Sequence, residues 1–186
     1  PKHPGMTSVV TSEISLYELV AGSTSAPFAM QISPVTFKTL MSSLIDLLID
    51  QGQSASVWVK LPKGEAWQTE FDRYLDRIPP QQQVVCFKNQ RDEIIDDSPE
   101  LEALSYSRSV LSTVLPIDSL LRREYFFIVW SNQFCGLLVG HRAKVAPRES
   151  DSLTSIDEES PEKKQTLMAY LVIDPEIVRN AIAILQ

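Results

Sequence analysis

The chain has 186 residues, 44% of them hydrophobic and 22% charged, with a formal net charge of −7; this is the profile of one globular domain, or at most two small ones, with a real core. The acidic balance excludes general binding to nucleic acid or to an anionic lipid surface, because both need clustered Lys and Arg. No apolar run approaches the roughly 20 residues of a membrane-spanning helix, and the start of the chain lacks a signal-peptide pattern, so a cytoplasmic location is expected.

Pro1 to Gly5 precede Met6 and read as an expression scar. Because the chain also stops directly after its last helix, an excised N-terminal module of a longer protein is expected. Ser12 is placed to cap a short helix carrying Ile14, Leu16, Tyr17, Leu19 and Val20, with Gly22 as its stop. Phe28 to Ile32 is a short strand candidate. Ser33 then supplies an N-cap and Pro34 the first helical position, where a missing N–H costs nothing. Phe37, Leu40, Met41, Leu44, Leu47 and Leu48 form one apolar face of that helix, which Gly52 ends. Val57 to Leu61 is a strand, and Pro62 and Gly64 turn the chain. A second helix carries Trp67, Phe71, Tyr74, Leu75 and Ile78 and ends at Pro79-Pro80. Val84 to Phe87 is a strand. This alternation of strands and helices predicts a parallel or mixed sheet with helices packed on it.

Arg91 to Glu100 is acidic and reads as a loop, with a helix from Pro99 to about Tyr106. Leu111 to Leu115 is a strand candidate, and Pro116-Ile117-Asp118 starts a helical turn. Tyr125 to Trp130 is apolar without alternation, so both of its faces should be covered. Asn132-Gln133 is a tight turn and Leu137 to Val139 the return strand. Arg148 to Lys164 is polar, acidic and Ser-rich, an insertion expected to be mobile. Thr166 to Ile173 is a last strand. Asp174 and Pro175 open a final helix whose apolar face is Ile177, Val178, Ala181, Ile182 and Leu185. The fold class expected is α/β, or mixed α+β: a central mixed sheet of about six strands, helices on its faces, and an antiparallel hairpin in the C-terminal half.

These elements carry no catalytic constellation. His3 and His141 are the only histidines, and no zinc-ligand spacing occurs. Six glycines supply no phosphate-cradling loop. Cys86 and Cys135 lie in apolar strand-like runs and read as buried reduced thiols. Neither precedes a histidine as the attachment cysteine of a bilin-binding domain does. The acidic groups Asp92, Glu93, Asp96, Asp97 and Asp157, Glu158, Glu159 read as solvated faces, because neither group has the turn glycine of a calcium loop. Core packing is the default role of Trp58, Trp67 and Trp130. If the strands of Trp58 and Trp130 are neighbours, their rings can face one cavity. The candidate pocket set is therefore Trp58, Trp130, Tyr125 and Cys135. No cofactor is indicated, and no enzyme activity is expected.

The run Pro116-Ile117-Asp118-Ser119-Leu120-Leu121-Arg122-Arg123-Glu124 leads into Tyr125-Phe126-Phe127-Ile128-Val129-Trp130. With the return strand to Val139, the strand ending at Ile173 and the helix start Asp174-Pro175-Glu176, it resembles the DICT sensory domain of bacterial signalling proteins. The resemblance covers most of Ser12 to Gln186 and is strongest in the last seventy or so residues. These are scaffold motifs, so no functional residue is carried over. The resemblance implies a cytoplasmic input or interaction module beside kinase, cyclase or transcription-factor domains, often in a light-response context, and the style of the sequence looks cyanobacterial. In that role the last helix, through Asp174, Pro175, Val178 and Ile182, is the natural output lever. The alternative is a dimerisation module without a ligand, giving a homodimer as a possible partner state.

Overall fold

The computed structural model describes residues 13–52, 54–77, 82–90, 110–142 and 166–186. Several expectations lie outside these residues: the scar, the Ser12 cap, the Pro79-Pro80 stop, the loop and helix over 91–106, and the insertion at 148–164.

A single seven-stranded sheet organises the chain. Its strands are β1 (Met30–Ile32), β2 (Ala55–Lys60), β3 (Val84–Asn89), β4 (Val110–Leu115), β5 (Glu124–Ser131), β6 (Cys135–Arg142) and β7 (Leu167–Val172), and their order across the sheet is β1-β7-β6-β5-β2-β3-β4. β2, β3 and β4 run parallel, and every other pairing is antiparallel. The expected mixed sheet is present, with the C-terminal hairpin at its centre. All seven strand segments marked in the sequence join this sheet, against the six or so expected to; β1, only three residues long, is the shortest. Phe28, expected in that strand, precedes it and is 97% exposed.

Among the described residues, four α-helices cover the two faces: α1 (Leu16–Ala21), α2 (Pro34–Gln51), α3 (Glu65–Arg77) and α4 (Pro175–Leu185). The central strands are apolar without alternation because both faces are buried. Phe126 and Ile128 pack with Leu137, Val139, Val178 and Ala181 under α1 and α4. Phe127 and Val129 pack with Leu138, Phe37, Met41 and Tyr74 under α2 and α3. Each such large side chain removed from water contributes roughly 1.5–3 kcal/mol.

The helix signals act locally as expected. Ser33 Oγ accepts from Thr36 N–H, Pro34 opens α2, and Gly52 closes it at φ 59°. One face residue differs: Leu47 is 36% exposed and Ile45 is fully buried in its place. The first helix is capped by Ser15, whose side chain accepts from Glu18 N–H. Phe134 sits in the hairpin loop. There Ser131 N–H donates to the Phe134 carbonyl at 2.8 Å, and Phe134 N–H donates to Ser131 Oγ at 2.9 Å.

Candidate functional site

β2 and β5 are antiparallel neighbours, with Ser56 opposite Trp130 and Trp58 opposite Ile128. Trp58 and Trp130 are therefore diagonal neighbours on one face of the sheet, within reach of a common ligand. They form the floor of an open cleft of about 410 Å³. Ser56 and Gln83 border it from the sheet side. The opposite wall comes from α4, through Arg179, Ile182, Ala183 and Gln186. Trp58 is largely buried, and Trp130 is half-buried beside the core. The Arg179 guanidinium lies over the Trp130 ring, 5.4 Å from its centroid, in cation–π range.

The other two residues of the expected pocket do not line the cleft. Tyr125 lies an odd number of positions from Trp130 on the same strand, so strand alternation sends its ring to the α2–α3 face. There Lys60 Nζ is 5.0 Å from the ring centroid. Cys135 is the cross-strand partner of Trp130, but its thiol turns towards the Ile173 carbonyl at 3.5 Å. Burial raises the Cys135 thiol pKa, nearby Asp174 adds to this, and Arg179 opposes it. Cys86 packs against the α2–α3 core, and burial pushes its thiol up to about 12. Both sulfurs are held as thiols at neutral pH, the unreactive form.

Of the four residues assigned to output, Asp174 and Pro175 start α4, and Val178 and Ile182 lie on its buried face. Asp174 is the N-cap, accepting from Glu176 N–H at 2.9 Å and from Ser25 Oγ at 2.9 Å. These bonds hold its carboxyl below the usual range. Pro175 fills the first helical position. Val178 is fully buried, and Ile182 joins the core to the cleft wall.

A second polar locus leaves little mark in the sequence. Glu124, 3% exposed, closes the start of α1. Its carboxylate accepts from Ser15 Oγ at 2.7 Å, Tyr17 N–H at 2.7 Å and Leu16 N–H at 3.2 Å. Burial raises its pKa; the three hydrogen bonds and the nearby His141 only partly offset this. His141 stands opposite Glu124 in the β5–β6 pair and meets Tyr17 edge-on, with ring centroids 4.1 Å apart. Lys60 Nζ, also buried, donates to the Glu124 carbonyl at 2.7 Å and the Arg122 carbonyl at 3.1 Å. The locus ties α1 to the sheet and satisfies the backbone donors of a helix too short to stand alone. The sequence signal for it is a single glutamate heading an otherwise apolar strand.

No group of His, Cys, Asp or Glu among the described residues is arranged to hold a metal ion, and no described helix is long and apolar enough to cross a membrane. The fold and the cleft define a mixed α+β domain that presents a preformed, tryptophan-floored recess against its final helix. A family model matches residues 13–143: DICT, the sensory domain in diguanylate cyclases and two-component systems. The match spans well over half of the chain, and the chain belongs to the DICT sensory-domain family. It takes in the Pro116 to Val139 segment that carries much of the resemblance and ends just after β6, so β7 and α4 lie beyond it. Comparison with curated proteins and with solved structures found no match.

Proposed function

We propose that this domain is a non-catalytic input module of a bacterial, cytoplasmic signalling protein, and that a small ligand in the Trp58–Trp130 cleft biases the position of α4. The observation that carries this reading is the shared wall: α4 contributes Arg179, Ile182, Ala183 and Gln186 to the cleft. A ligand there contacts the sheet and the helix at once. It favours whichever placement of α4 gives it more contact, and each tenfold difference in affinity is worth about 1.4 kcal/mol of bias. Ile182 extends from the cleft into the core, so a shift of the helix is felt by Val178 and the packing beneath it. The partners on this reading are kinase, cyclase or transcription-regulator output domains.

The test is native mass spectrometry of freshly purified protein beside a denatured control, with a UV–visible spectrum and hydrogen exchange of α4. The expected result is extra mass lost on denaturation and slower exchange in α4 when the ligand is present. A bound ligand that leaves α4 exchange unchanged would remove the helix from the mechanism.

A second reading, as a ligand-free dimerisation module, draws on two exposed apolar side chains. Phe28 is 97% and Ile173 70% exposed. They lie in the two segments that the Ser25–Asp174 hydrogen bond ties together. Sedimentation across a concentration series distinguishes the readings. Self-association abolished by a Phe28→Ser, Ile173→Ser double variant would support the dimer, and a monomer at every concentration would end it.

A further inference from the structure

We infer that the cleft takes a planar aromatic carboxylate; this rests on the proposed ligand-binding reading of the cleft and narrows it to one chemical class. The argument begins with Arg179. In a chain of net charge −7, its guanidinium has no carboxylate partner and donates no hydrogen bond among the described residues. Its described interactions are with the Trp130 ring and, electrostatically, with the Cys135 thiol. Two carboxylates lie near it in sequence, Glu176 three residues earlier on α4 and the N-cap Asp174, which is occupied by Glu176 N–H and Ser25 Oγ; neither forms an ion pair with Arg179 among the described residues. Stacking engages the face of a guanidinium and leaves its edge, with parallel N–H donors, for a carboxylate.

The rest of the cleft selects for a flat body. The indoles of Trp58 and Trp130 supply broad rigid surfaces that favour offset or edge-on contact with another ring. Ser56 and Gln83 at the rim add neutral hydrogen-bonding groups. No acidic side chain lines the cleft, and Arg179 is the one charged side chain among its lining residues. A volume of about 410 Å³ falls in the range of small-molecule sites. The indoles stand on strands and are held by the sheet, while the exposed Arg179 side chain lies over the Trp130 ring, so the aromatic surfaces need little ordering to bind.

The test uses four probes: indole-3-acetate, 1-naphthoate and the neutral primary amide of each. Binding to the whole chain is followed by the indole N–H resonances. Trp67, on the opposite face at 6.0 Å from Phe37, is the internal control. We expect the resonances of Trp58 and Trp130 to move while that of Trp67 stays, with each carboxylate binding at least tenfold tighter than its amide. Raised salt should shrink the difference, and Arg179→Gln should abolish it without changing amide affinity. Equal affinity of acid and amide, unchanged in Arg179→Gln, would overturn the carboxylate class while leaving an aromatic cleft in place. If no probe moves Trp58 or Trp130 at millimolar concentration, the carboxylate class and the ligand-binding reading beneath it both fall. Movement of Trp67 alone would place binding elsewhere and overturn both as well.

Discussion

Gly140 and Glu124 show how single side chains set the limits of this fold. A Cβ added at Gly140 would lie 2.9 Å from Phe37 Cε2 and 3.4 Å from the Met168 carbonyl. The Phe37 ring is fully buried under α2 and has little room to yield. Gly140→Ala should therefore destabilise the domain by about 1–3 kcal/mol, the usual range for overpacking. Urea denaturation checks this, and an unchanged midpoint would show that α2 shifts at no cost. At Glu124 the test is pH dependence. Its folded pKa is raised, chiefly by burial, so the folded state holds the proton more tightly than the unfolded chain. Its contribution to stability is full below the ordinary carboxylate pKa and is lost as pH rises through the raised folded value. Gln cannot titrate, so the stability of the wild type minus that of Glu124→Gln should fall across this window and level off above it. A difference that stays flat with pH would contradict the assignment. Glu124→Ala leaves the N–H groups of Leu16 and Tyr17 without their acceptor and should cost about 1–3 kcal/mol for each group that water cannot reach.

Helices and strands were legible in the sequence to the extent that their causes were local. The Ser33, Pro34 and Gly52 signals of α2 lie within a turn of the residues they organise, as do Asp174 and Pro175 of α4. The apolar stripe was less sharply defined, because Leu47 and Ile45 are equally apolar and only the sheet below decides which is buried. The cleft was half legible. Its pairing of Trp58 with Trp130 depends on β2 and β5 being neighbours, a contact no local pattern encodes. The exclusion of Tyr125 follows from counting strand positions. Glu124 was invisible as a cap, since its partners stand more than a hundred residues away in sequence. At this scale the cap of α4 makes a further prediction. Asp174→Ala should speed amide exchange at Glu176 and Ile177 while leaving the centre of α4 protected. With its carboxyl pKa lowered, the cap's contribution is present at neutral pH and fades as pH falls through the lowered value. Equal exchange in both proteins would mean that the proline at the first position secures the helix start unaided.

Across the whole molecule, the antiparallel centre and the parallel β2-β3-β4 side form one sheet, and the cleft lies at their junction, between β2 and β5. β7 is hydrogen-bonded on both edges, to β6 and to β1, so this strand beyond the family match is integral to the sheet. Its position also has a consequence in time. β1 is made early, at Met30–Ile32, yet its one partner in the sheet is β7, made last, at Leu167–Val172. During synthesis β1 must wait for every other strand of the sheet to emerge before it can pair, and α2, which follows it directly, waits for Leu167 and Ala169 to complete its packing face. Pairings so distant in sequence form slowly, because the intervening chain must be closed into a loop first. A ribosome-bound chain ending before β7 should therefore be cut readily by protease around β1 and α2, and become resistant once β7 has cleared the exit tunnel.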